Sequence, residues 1–197
     1  MTTTSYALLG LLRVRPWTTY ELAKQVQRGL GWFWPRAERK LYDEPKRLVA
    51  AGWAEATSAS TGRRARTIYT ITPAGRRALR AWLALPSAPP ILEMEAMVRV
   101  FFADGGTKES LLDTLDGVEA HARTQVDELL IQIDQSRAAD YGFTSRMHVN
   151  ALGLRHALDH AALDARWAAW ARQQVEQWPS TTDPGQWSWQ EAVAPPA

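Results

Sequence analysis

Apolar residues recur along this chain at helical spacing over most of its length. Leu8, Leu9, Leu11 and Leu12 follow Thr3, Thr4 and Ser5, any of which can cap a helix, and Pro16 ends the run. This predicts a buried first helix. Thr18 or Thr19 then caps a second, with Leu22, Val26 and Leu30 inward. Gly29 and Gly31 loosen its end, and Trp32-Phe33-Trp34 is read as a plug at the junction with a third helix. That third helix is read over 35–52. Leu41 with Leu48, and Tyr42 with Val49, are seven apart on one face, while Arg36, Arg39, Lys40, Asp43, Lys46 and Arg47 recur every three or four residues on another. Gly52 stands where a left-handed C-cap belongs. Pro45 inside this stretch costs a helix interior roughly 3 kcal/mol. Either the helix kinks near Leu41 or its regular part starts at Pro45. The two seven-residue spacings span Pro45 and favour the kink.

The period then changes from helix to strand. Residues 53–58 and 67–72 alternate and are β-favouring, with Ser60 to Arg66 as the hairpin tip between them. Thr72-Pro73 starts a fourth helix, with Leu79, Trp82 and Leu83 inward and Arg76, Arg77 and Arg80 outward. Pro86, Pro89 and Pro90 mark a linker. Beyond it the pattern is helical throughout. Residues 91–103 are apolar nearly all round, which predicts a buried helix, and Gly105-Gly106 stops it. From 107 to 139, Leu111, Leu115, Val118, Ala122, Val126, Leu129 and Ile133 form a narrow seam. From 145 to 178 a second, alanine-rich seam runs through Met147, Ala151, Leu154, Leu158, Ala161, Ala165, Ala168 and Val175, with Trp167 and Trp170 beside it. Helices of about 33 residues extend on the order of 50 Å. One such hairpin cannot bury both of its faces, so a homodimer is predicted. Residues 179–197, with four Pro and no periodicity, read as a mobile tail. The expected domains are therefore 1–85, 86–178 and the tail 179–197. The fold class is mainly α: a winged N-terminal domain with a two-stranded β-wing, and an all-α C-terminal dimerisation domain.

Charge sharpens this division. The formal balance of +2 hides 15 Lys+Arg against 5 Asp+Glu in residues 1–90, and 8 against 16 in residues 91–197. A half at +10 joined to a half at −8 points to a polyanion-binding domain and a partner-binding one. Five cations in 35–52 (Arg36, Arg39, Lys40, Lys46 and Arg47) face three acids, Glu38, Asp43 and Glu44. That stripe suits a helix in the major groove of DNA, with an ordinary solvated helix as the alternative. Arg63, Arg64 and Arg66 at the hairpin tip suit the backbone or minor groove, or else keep an edge soluble. With 46% apolar residues and ten Trp, the chain has ample material for a core. It has no Cys, which excludes thiol nucleophiles, disulfides and thiolate metal sites and fits a reducing compartment. Tyr6 to Leu12 is too short to span a membrane, and Arg13 and Arg15 follow it instead of preceding it, so a soluble cytoplasmic protein is expected. His156 and His160 are i, i+4 beside Asp159 and Asp164 but lack a third convincing ligand, so they read as solvated and no metal is expected. No Ser-His-Asp set and no phosphate-cradling glycine loop occurs, so neither catalysis nor a cofactor is expected. Trp167 and Trp170 are placed as an effector site for a small aromatic or apolar molecule, with core packing as the plainer role for each. An adaptor that recruits protein through its long helices is the competing function, against which the +10 half weighs.

Three helices, a basic two-stranded wing and a connecting helix follow the winged helix-turn-helix plan. Ala7-Leu8-Leu9-Gly10-Leu11-Leu12, Pro16, Tyr20-Glu21-Leu22, Leu41-Tyr42, Lys46-Arg47-Leu48 and Ala51-Gly52-Trp53 resemble the PadR family of bacterial transcriptional regulators. So do Gly62-Arg63, Arg66, Tyr69, Ile71-Thr72-Pro73, Gly75, Leu79 and Trp82-Leu83. Two positions depart: Thr19 stands where the family commonly has Gly, and Asp43 where it usually has Pro. The resemblance implies a homodimeric repressor on a palindromic operator, released by a small molecule. Its two recognition helices would read half-sites about 34–36 Å apart. On this plan Arg36, Arg39, Lys40, Lys46 and Arg47 contact the groove, and Tyr20 and Tyr42 reach phosphates or sit at the rim of the core. Arg63, Arg64 and Arg66 hold the wing to the backbone.

Overall fold

A computed structural model describes residues 1–34, 43–61, 64–137 and 144–192. The chain folds as two units, Met1–Pro89 and Pro90–Ala197. In the first, α1 (Thr3–Val14) is capped by Thr2, not by the three residues that follow it. The Ser5 backbone N–H donates to the Thr2 hydroxyl at 3.3 Å, and the Thr2 backbone N–H donates to Ser5 Oγ at 2.9 Å. Thr4 and Ser5 are withdrawn from solvent for tertiary work: Thr4 accepts the Trp34 indole N–H at 3.2 Å, and Ser5 bonds Glu44. Leu8, Leu9 and Leu12 fill the core behind them.

Trp17–Thr18 is a strand, β1, too short for its alternation to be read from sequence. It pairs antiparallel with β3 (Arg64–Ile71), which pairs in turn with β2 (Ala54–Thr61). The sheet therefore has three strands, in the order β1-β3-β2. The wing strands run further than the sequence predicts. Thr61 is already paired with Arg64, so Ser60, Arg64 and Arg66 lie on strands and not in a turn. The helix α2 (Thr19–Gln25) is capped by Thr18 in a box with Glu21, then widens into a π-turn over Val26–Leu30. Leu22 and Val26 face inward as expected, whereas Phe33 of the aromatic plug is exposed.

Of the kinked third helix read over 35–52, residues 35–42 lie outside the described residues. Within the described residues α3 spans Glu44–Ala50, with Pro45 in its first turn. There the missing N–H has no helical partner to lose, and the fixed φ already suits the helix. Its far end is a Schellman motif: Gly52 has φ +70, its N–H reaches the Val49 carbonyl at 2.9 Å, and the Trp53 N–H reaches the Leu48 carbonyl at 2.9 Å. The next helix, α4 (Pro73–Leu83), is capped by the Thr72 hydroxyl. Leu79 is buried, and the Trp82 ring stacks on Tyr6 with centroids 4.8 Å apart. Leu83, read as inward, is exposed because it lies on the last turn.

In the second unit α5 (Glu95–Phe101) leads through a 3₁₀ turn to α6 (Lys108–Gln135), and α7 (Met147–Glu176) follows. The two long helices form an antiparallel hairpin. Lys108, at the start of α6, donates to the carbonyls of Glu176 and Trp178 at 2.9 and 2.6 Å, at and just beyond the end of α7. Arg172 of α7 bonds Asp116 of α6 at 2.6 Å and Glu176 at 2.5 Å. The predicted seams meet here. Leu111, Leu115, Ala122 and Leu129 of the first seam are buried on α6, and Ala161, Ala168 and Val175 of the second on α7, joined there by Ala157 and Ala171, which the seam does not include. Alanines let the helices approach closely. Ala151 is exposed instead. The larger correction concerns residues 91–103, read as a buried helix: α5 starts only at Glu95 and none of its residues is buried, and Ile91 and Leu92 before it, Val98 and Phe101 within it and Phe102 after it are open to solvent. Residues 179–192, read as part of a tail, carry a hydrogen-bonded turn at Ser180–Asp183 and a short helix, α8 (Trp189–Ala192).

Candidate nucleic-acid interface

The surface of interest is built by α2, α3 and the wing. Thr18 fixes the start of α2, since its backbone N–H donates to Glu21 at 2.8 Å and its hydroxyl at 2.9 Å. The backbone N–H of Thr18 is the largest of the influences that hold the Glu21 carboxyl below its ordinary range, and Arg15 adds to it. Arg15 in turn lies over the Trp17 ring, 3.5 Å from its centroid. This local ordering presents Tyr20, 77% exposed, from the first turn of α2. On α3 the seven residues divide cleanly. Glu44, Pro45 and Leu48 are buried, while Lys46 and Arg47 are exposed. On the wing, Arg66 is exposed on β3 opposite Ala59, and Arg64 is on β3 opposite Thr61. Arg76, Arg77 and Arg80 line the outer face of α4 as the spacing predicts.

Tyr20, Lys46, Arg47 and Arg66 therefore project from one unit into solvent. Arg36, Arg39, Lys40, Tyr42 and Arg63 lie outside the described residues. Sequence reasoning misplaces one side chain of α3. Glu44 counts there among the acids opposing the basic stripe, yet it is 1% exposed. Its signal is present in the spacing: Glu44 is four residues before Leu48, and so on the inner stripe of the helix.

In the second unit a cleft of about 640 Å³ opens between α5, α6 and α7. Met94, Val118 and Ala122 contribute apolar surface to it, and Arg99, Ser110 and His121 polar groups. Neither Trp167 nor Trp170 is among its walls. Trp167 packs against the core of Leu111, Leu115, Ala171 and Val175, and Trp170 is exposed. His156 and His160 stack on each other, ring centroids 5.4 Å apart. Among the described residues no three His, Cys, Asp or Glu side chains gather as a metal site, and no helix is long and apolar enough to cross a membrane.

Comparison with known proteins agrees with this geometry. Residues 8–81 match the transcriptional regulator PadR-like family. The negative transcriptional regulator PadR of Bacillus subtilis is 29% identical over 99 residues, 49% of this chain and 54% of that protein. The chain thus spans about half the length of the curated relatives it matches. The crystal structure of Bacillus subtilis PadR in complex with operator DNA superposes with a TM-score of 0.75 at 20% identity, over 88% of this chain and 99% of that one. The same regulator in complex with p-coumaric acid gives 0.66 at 20% identity, over 87% and 98%. The capped α2, the Schellman-terminated α3 and the paired wing that exits through Thr72-Pro73 all fall within the matched stretch. The likeness in sequence thus rests on the winged domain, whose residues 8–81 match the PadR-like family of transcriptional regulators.

Proposed function

We propose that this protein is a sequence-specific, double-stranded-DNA-binding transcriptional regulator. On this reading it acts in the cytoplasm as a homodimeric repressor on a palindromic operator. One observation carries it: α3 buries its one carboxylate, Glu44, and turns Lys46 and Arg47 outward, so this short helix shows a basic face. Arg66 on the wing and the exposed Tyr20 phenol flank the same plan, with the cations to neutralise phosphates and Tyr20 to hydrogen-bond one. Arg36, Arg39, Lys40, Tyr42, Arg63 and Arg64 belong to this interface by sequence.

The test is a selection of duplexes from a random-sequence pool, followed by anisotropy titrations across salt. Each phosphate contact contributes about one to the slope of log affinity against log salt. Lys46→Ala and Arg66→Ala are each expected to lower that slope by about one. An adaptor that recruits protein would enrich no duplex even in dilute salt, and that result would end the reading.

Repression is relieved, on this account, by a small aromatic or apolar effector bound in the second unit; the Bacillus subtilis regulator forms a complex with p-coumaric acid. The exposed Trp170 indole offers a stacking surface, and Trp167 its more buried neighbour on the helix. Tryptophan fluorescence is expected to respond to an aromatic carboxylate in the whole protein and to lose that response in Trp170→Phe. Flat titrations across a panel of aromatic acids would remove the effector site from Trp170.

A further inference from the structure

We propose that Glu44 is the positioning residue of the DNA-reading helix, a role that rests on the reading of α3 as part of the interface. Its carboxylate is 1% exposed and lies between the first turns of two helices. Ser5 Oγ of α1 donates to Glu44 Oε1, and Thr2 Oγ1 donates to the same oxygen at 3.3 Å. Glu44 Oε2 lies 3.7 Å from Arg47 Nη1. Ser5 also accepts the Thr2 backbone N–H, so its proton is directed at Glu44, and the capping box of α1 ends in this contact.

A carboxylate is an expensive group to bury, and an apolar residue of similar size often serves stability as well or better. What it adds is direction. Pro45 and Leu48 are buried with Glu44 and set how deep α3 sits, but apolar contact leaves rotation about the helix axis loosely fixed. Hydrogen bonds from two hydroxyls on α1 and its cap set that rotation. A turn of about 20° would carry a side-chain tip roughly 2 Å at the surface of a helix, outside hydrogen-bonding tolerance. Lys46 and Arg47 are the tips that would move. Their aim at DNA therefore depends on a carboxylate that never touches it.

The test uses full-length protein and the duplex that the wild type enriches from a random-sequence pool. Glu44→Leu keeps the buried volume and removes the hydrogen bonds. It is expected to melt at or above the wild-type temperature while binding that duplex about tenfold more weakly, with a shallower salt slope. Glu44→Gln keeps an acceptor for Ser5 and Thr2 and is expected to restore binding to within about twofold. Ser5→Ala is expected to weaken binding, and the double variant Ser5→Ala, Glu44→Leu to be no weaker than Glu44→Leu. A purely structural role would lower the folded fraction and leave affinity per folded molecule and the salt slope untouched; that pattern, or wild-type binding by Glu44→Leu, overturns the proposal. Should Glu44→Leu fail to fold, Ser5→Ala decides by the same measurements. A wild type that binds no duplex would instead remove the interface reading and this proposal together.

Discussion

Phe101→Asp is expected to separate the proposed homodimer into monomers. Phe101 is 79% exposed and Ile91 80%, and Leu92, Val98 and Phe102 are exposed with them. Phe101 and Phe102 meet edge to face with centroids 5.0 Å apart, so each ring already orders the other. Large apolar side chains exposed to this degree suit a surface that a partner covers. A second copy is the occupant that fits the proposed assembly. Burying one phenylalanine contributes about 1.5–3 kcal/mol. In a two-fold interface each substitution acts twice, so about 3–6 kcal/mol is lost before the burial of two carboxylates is counted. Since about 4.1 kcal/mol is a thousandfold in affinity, dissociation by that factor or more is expected. Sedimentation velocity at micromolar protein reads it directly. Because α5 buries none of its residues, the helical circular dichroism should be unchanged. A variant that sediments with the wild type would remove α5 from the dimer interface.

The same helix shows where reading a sequence stops. Apolar residues all round a helix say that it is to be buried, and carry no information about whose surface does the burying. The seams of α6 and α7 are legible because their partners lie in the same chain and the spacing alone aligns them. The Thr18–Glu21 box and the Thr72-Pro73 start are legible because a cap is a local event within four residues. Pro45 is ambiguous for the opposite reason. Whether a proline breaks a helix or begins one depends on where the helix starts, which residue type alone does not say; in the structure Pro45 stands in the first turn of α3. β1 has two residues, fewer than any alternation needs, and exists because β3 offers it a ladder. Glu44 is lost to residue type: acids are read as solvated, and the hydroxyls of Thr2 and Ser5 that help make its burial tolerable lie some forty residues earlier in sequence.

Gly75→Ala is the second large effect, and it acts on the junction that holds wing and helix together. A Cβ on Gly75 would stand 2.1 Å from the Trp53 carbonyl oxygen and 3.0 Å from Ile71 Cγ1. The oxygen cannot retreat freely. It accepts the Thr72 N–H at 3.0 Å, while Trp53 donates its own N–H to Leu48 as the last bond of the Schellman motif of α3. Thr72 is held as well, donating its hydroxyl to the Gly52 carbonyl at 2.7 Å and accepting the Gly75 N–H at 3.1 Å. The clash therefore sets backbone against backbone, with no flexible side chain to give way. Overpacking of a core costs about 1–3 kcal/mol and occasionally more, and this contact belongs at the upper end. Alanine's better helix propensity returns at most about 1 kcal/mol. A net loss of about 2–3 kcal/mol lowers the melting temperature of a unit of this size by on the order of 10–20 °C. Calorimetry is expected to show that shift in the transition of residues 1–89. Duplex binding should also weaken below the transition, because relief of the clash displaces Trp53 and, through its N–H, the end of α3. A melting temperature within a few degrees of wild type would mean that Gly75 is not pressed against Trp53, and that the wing leaves the sheet by another path.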